Sequence, residues 1–191
     1  MCSRGSFTTA QVEQLLKPIN PKRVLQAQGH SHVSQQDITA HLIRMFGFGN
    51  FDIEVINADL IFESEHIDKE TGEIKPGRFD VSYRALVRLK IRNQEGQLVA
   101  VYENGSVGSS RNQTRGDAHD LAYKSAISLS IKRAAIALGD QFGLSLYNKG
   151  QMTPLVRNTL IGLDDVVITS DVQAGIEQQV ALGNDEIERD A

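Results

Sequence analysis

Cysteine is almost missing from this chain of 191 residues: Cys2 stands alone. No disulfide can form within it, and a reducing intracellular setting is expected. Tryptophan is absent and aromatic residues make up 6%, which leaves little material for a base-stacking platform. No apolar run approaches the roughly 20 residues of a membrane helix, so no membrane partner is expected. The residues after Met1 lack the apolar stretch of a secretory signal. There is no GxxxxGK[ST] loop and no GxGxxG after a strand, so nucleotide hydrolysis of that kind is not expected. Internal repeats are lacking too.

Charge is present but unevenly placed. From Met1 to Arg157, 19 Lys and Arg stand against 16 Asp and Glu, a net of +3. From Asn158 to Ala191, Arg189 alone faces eight acids, a net of −7, and the two parts give the chain's −4. A basic body over residues 1–157 with an acidic tail over 158–191 suits a nucleic-acid binder. The tail either meets a partner or keeps the chain soluble.

Periodicity outlines an α+β domain. Thr8 or Thr9 caps a short helix through Leu16, which Pro18 and Pro21 break. Arg23 to Gln28 reads as a short strand turning at Gly29. Ser34-Gln35-Gln36-Asp37 resembles a capping box opening a helix from Gln35 to Phe46. Strands follow over 51–65, 79–92 and 98–103, joined by short turns in an antiparallel meander. In the second, Phe79, Val81, Tyr83, Ala85, Val87, Leu89 and Ile91 share one face. Arg84, Arg88, Lys90 and Arg92 share the other. The Gly-, Ser- and Asn-rich stretch 105–116 reads as a loop carrying Arg111 and Arg115. A long helix then runs from Asp117 to about Leu138, apolar all round and therefore buried all round, with part of its cover supplied by another copy of the chain. A short helix is expected at 154–161.

Most chemistries fail on residue type. His30 and His32 lack the further ligands of a metal site, and a polar loop is the plainer reading. Glu63, Glu65, Asp68, Glu70 and Glu73 crowd a hairpin turn, where charge is usually solvated, rather than the convergent site a metal nuclease needs. Ser109-Ser110 has no His and Asp to activate it. No catalytic residue, metal or cofactor is expected. The cations of the long helix are more telling. Lys124 has Asp120 four residues before it. Lys132 and Arg133 have no acid at either helical neighbour position, and charge on a buried helix needs an anionic or wet partner.

Three stretches carry a family resemblance. Phe46-Gly47-Phe48-Gly49-Asn50-Phe51, the helix Ala122-Tyr123-Lys124-Ser125-Ala126 through Ile131-Lys132-Arg133-Ala134, and Gly139-Asp140-Gln141-Phe142-Gly143-Leu144-Ser145-Leu146-Tyr147-Asn148-Lys149 resemble, in order and spacing, the Rad52 family of single-strand annealing proteins. The resemblance implies a β-meander packed on the long helix, assembly into a ring, and single-stranded DNA held by its phosphates for annealing without ATP. By position it implies Arg23, Lys132 and Arg133 in an inner groove, and Arg78 and Lys149 at an outer DNA site, with Arg111 and Arg115 near it. Lys124, Arg84 and Arg88 join them as candidate DNA contacts. Departures are Ile136, where the family often carries a cation, Asp140, near its usual Asn, and Gln26 to His30, in place of its glycine-rich segment. The short chain looks like a bacterial or phage member acting in the cytoplasm or nucleoid. Its tail is a candidate contact for a single-strand-binding protein or host recombination factor. The rival readings are a strand-protecting binder that does not anneal and a metal-dependent nuclease.

Overall fold

The computed structural model describes residues 5–27 and 29–159. Helix α1 spans Thr9–Leu15, capped by Thr8, whose hydroxyl accepts from the Gln11 N–H while the Gln11 side chain accepts from the Thr8 N–H. Pro18 and Pro21 end its reach, and a 3-10 turn follows at Pro21–Arg23. The expected strand at 23–28 is reduced to β1, Leu25–Ala27, which pairs antiparallel with β2, His30–His32. The two histidines therefore lie in a hairpin strand, not a loop; Gly29, with φ +78, makes the turn. Helix α2 runs over Gln35–Phe46 as its spacing predicts. Ser34 Oγ accepts from the Asp37 N–H, but the Asp37 carboxylate turns to Arg23 instead of closing the box.

Strands β3 (Phe51–Ile67), β4 (Ile74–Arg92) and β5 (Leu98–Gln113) form one antiparallel sheet in the order β3-β4-β5. The predicted inner face of β4 is as read: Val81, Ala85, Val87, Leu89 and Ile91 are buried. Alternation in β3 is broken because the register slips at Ile56 and Ile61, each an extra residue facing no partner.

Two expectations need correction, and a third concerns a second copy of the chain. The stretch 105–113 is not a loop but the second half of β5. Its inward positions Ser106, Gly108 and Ser110 are small because α3, Arg115–Ala135, crosses them closely. Composition therefore imitates a loop where packing demands small residues. Helix α3 is covered on one side only in the single chain, and the cover expected from another copy is not represented in it. It turns Ala118, Ala122, Ala126, Ser130 and Ala134 to the sheet, while Leu121 and Tyr123 are exposed. Finally, residues 154–159 are not helical; the remainder of that expected helix, and the acidic stretch 160–191, lie outside the described residues. Among the described residues no helix is long and apolar enough to cross a membrane.

The main core joins α2 (Ile38, Leu42, Phe46), β4 and the end of α3 (Ile131, Ala135) to Leu138, Phe142 and Leu146. His41 is buried in it at 5% exposure, its ring 4.9 Å from that of Phe142. Burial, reinforced by the positive charges of Arg23 and Arg44, pulls its pKa down from 6.5 to about 4. The unfolded chain thus binds a proton in a window where the native state does not, so stability is present above pH 6.5 and falls as pH drops toward 4. We expect about 2 kcal/mol to be lost by pH 5, before most carboxylates titrate. Thermal midpoints between pH 7 and 5 should fall steeply for the native chain and far less for His41→Phe; equal slopes would remove His41 as the cause.

Candidate nucleic-acid interface

The segment after α3 builds a cleft. Gly139, with φ +98, turns the chain out of the 3-10 turn that ends α3. Asp140 and Gln141 then pin it from inside. Asp140 Oδ2 accepts from the N–H groups of Leu155 and Val156, and Gln141 Nε2 donates to the carbonyls of Lys17 and Pro18. Phe142 and Leu146 enter the core. Between this segment, the β1–β2 hairpin and α3 lies a cleft of about 630 Å³ lined by His30, His32, Lys132, Tyr147 and Lys149 above an apolar floor of Val33, Ile38, Leu129, Phe142 and Leu146. Among the described residues, no carboxylate lines it.

Lys132 is half-buried and has no ion pair among the described residues; loss of water around its ammonium pushes its pKa down. Lys149 is exposed and sits in the left-handed region at φ 53, a backbone state costing a side chain on the order of 1 kcal/mol. The structure therefore brings Lys132 and Lys149, assigned by resemblance to inner and outer sites, into one cleft. Arg133 is exposed and points elsewhere, lining a shallower depression with Asn57, Arg84, Leu86, Gly105 and Val107.

The other candidate cations divide by partner. Arg23 is held bidentately by Asp37, with Nη2 at 2.8 Å and Nε at 2.9 Å, and its Nη1 donates to Gln141. Arg84 meets Asp59 at 3.1 Å and Arg88 meets Glu103 at 2.5 Å and Glu54 at 3.6 Å. Their neighbours Lys90 and Arg92 pair with Glu54 and Asp52. The row of cations on the outer face of β4 is thus matched, strand by strand, with carboxylates of β3 and β5. Arg115 bonds Glu63 at 2.8 Å and lies over the Phe79 ring, and Lys124 bonds Asp120 at 2.6 Å. Arg78 and Arg111 are exposed and form no ion pair among the described residues, although Arg111 acts on the Asp80 carboxylate electrostatically. The candidates without an ion pair among the described residues are therefore Arg78, Arg111, Lys132, Arg133 and Lys149.

His30, His32 and Tyr147 join the cleft without having been singled out as binding residues. Their place depends on a hairpin meeting a segment more than 100 residues later, which no local spacing reports. His119, at the start of α3, packs: its Nδ1 is 2.9 Å from the Tyr83 hydroxyl and its Nε2 3.5 Å from Glu63. Among the described residues no three His, Cys, Asp or Glu side chains gather as a metal site.

No curated protein matches the chain. The family model described as Rad52/22 family double-strand break repair protein matches residues 7–159, a span that takes in the sheet, α3 and the whole lining of the cleft. The chain belongs to the Rad52/22 family of double-strand break repair proteins.

Proposed function

We propose that this chain binds single-stranded DNA without ATP and anneals complementary strands, with phosphates held along the cleft of Lys132 and Lys149 and toward Arg133, Arg78 and Arg111. Membership of a DNA repair and recombination family gives the general setting. The observation that carries the finer reading is Lys132: a half-dehydrated ammonium in a cleft without a carboxylate among the described residues. Such a charge gains most from an anionic ligand. Phosphate contacts fix a strand without reading its bases, which leaves them free to test a second strand. Arg23, Arg84, Arg88, Arg115 and Lys124 are secondary contacts in this reading, because phosphate must first displace a carboxylate. For the exposed pairs that exchange costs about 0–1 kcal/mol; for the half-buried Arg23–Asp37 pair it is harder.

Assembly into a ring belongs to the same proposal. Among the described residues no strand pairs with the outer edges of β3 and β5, of 17 and 16 residues, although the Gly5 N–H donates to the Leu98 carbonyl at the start of β5. Val55, Ile56, Leu60, Ile61, Phe62 and Val107 expose apolar surface on these same strands. Unpaired edges with apolar flanks invite strand partners. Two different edges meeting head to tail make a heterologous contact, which forms a closed ring when the rotation closes. We place the assembly in a bacterial or phage-infected cell, with the acidic stretch 158–191 as a candidate contact for other recombination proteins.

The test is salt. Binding to a labelled oligonucleotide in EDTA should fall log-linearly with salt, by about 0.7 of a power per phosphate contacted, and should not depend on sequence. Binding insensitive to salt would contradict phosphate-led recognition; cleavage that returns with Mg²⁺ would move the reading to a nuclease. Annealing separates this reading from a merely protective binder.

A further inference from the structure

Strand β2 presents His30 and His32 two residues apart, hence on one face, and both line the cleft that holds Lys132 and Lys149. Ser31 is anchored by the Gln26 side chain at 2.8 Å, which ties β2 back to β1. Among the described residues, the charged and titratable groups that line the cleft with the two histidines are few. Helix α3 contributes Lys132, the C-terminal segment Lys149 and Tyr147, and β1 (Leu25, Gln26, Ala27) nothing titratable. Helix α2 contributes only Ile38 to the lining; its Asp37 is engaged by Arg23 and Arg44. Among the described residues, no acid in the lining stands ready to share a proton with either histidine.

With no carboxylate in the lining among the described residues, an entering phosphate is the first anion that a protonated imidazole here would meet. A phosphate brought in by a strand favours the charged form, and protonated imidazoles then add two donors to the two lysines. Histidine is the side chain whose charge changes in the physiological range. We propose that His30 and His32 are a proton-gated wall of the strand-binding cleft: they take up protons as the strand enters, so that single-stranded DNA is held more tightly as pH falls toward 6. This rests on the cleft being the DNA site.

Affinity linked to a protonation that the ligand favours rises by up to tenfold for each unit by which the ligand raises that pKa. For two histidines per subunit we expect the Kd of a labelled oligothymidylate of about 30 nucleotides, at fixed salt, to tighten on the order of tenfold from pH 8.5 to pH 6.0. Calorimetry in buffers of different ionisation enthalpy should show net proton uptake at pH 7. His30→Gln with His32→Gln should flatten the pH profile and abolish the uptake. His30→Arg with His32→Arg should bind at pH 8.5 about as tightly as the native chain does at pH 6.0. The inference is overturned if the Gln pair keeps the native slope, or, should that pair not fold, if the Arg pair gains nothing at pH 8.5. If Lys132→Ala binds the strand undiminished at every pH, the cleft itself is not the site and the proposed function, not the gate, has failed.

Discussion

Gly108→Ala is expected to leave little folded protein. Gly108 lies on β5 beneath α3, opposite Tyr83 of β4. A Cβ there would stand 2.2 Å from the Ala126 nitrogen and 2.4 Å from the Ala122 carbonyl oxygen. Both are helix backbone atoms and cannot rotate aside. Relief requires lifting α3 off the sheet, which would unseat Ala118, Ala122 and Ala126, all fully buried. Overpacking by one methyl in a core that can yield costs about 1–3 kcal/mol; against rigid backbone the penalty exceeds that range, and domains have only about 5–15 kcal/mol in reserve. Denaturant unfolding should show a loss of more than about 3 kcal/mol or no cooperative transition. Gly116→Ala is the control, since a methyl added there meets nothing within 4 Å and the residue sits in the first turn of α3. Equal stability of the two variants would mean that the helix does not approach β5 this closely.

Replacing Lys132 and Arg133 together by Ala should abolish useful strand binding while the fold persists. Two charge-assisted contacts at about 1.5–3 kcal/mol each correspond to a loss of roughly 100-fold or more in affinity, and in the proposed ring the loss would repeat at every subunit. Among the described residues neither side chain has an ion-pair partner to strand, and the Arg133 group that accepts from Asn104 is its backbone carbonyl, which alanine keeps. Removing the half-dehydrated Lys132 charge should leave stability level or slightly raised. Circular dichroism, native mass and oligonucleotide binding decide the matter. Loss of assembly together with binding would make these residues structural.

The sequence reveals most where the decisive contacts are local. Helix α2 begins and ends as predicted, because Ser34 caps it, Ile38, Leu42 and Phe46 recur at helical spacing, and Gly47 stops it at φ 82. The inner face of β4 is legible because alternation is a period-two signal. What is not legible depends on distant partners. The second half of β5 looks like a loop because its small residues answer to a helix a dozen or more positions later. The cations of β4 look like a binding stripe because register, which sets Glu54 against Arg88 and Asp59 against Arg84, cannot be read from one strand. Lys132 and Arg133 stand out because their lack of neighbouring acids is a local fact, whereas the union of Lys132 with Lys149, His30 and His32 in one cleft needs the fold.

The reading to be tested is that the cleft of Lys132 and Lys149 promotes pairing of strands. The most direct measurement is the annealing rate of two complementary labelled oligonucleotides in EDTA without ATP, followed by energy transfer, for the native chain and for the Lys132→Ala, Arg133→Ala double variant. The account predicts annealing well above the spontaneous rate for the native chain and a return to the spontaneous rate for the variant. Tight strand binding by the native chain with no acceleration of annealing would contradict it.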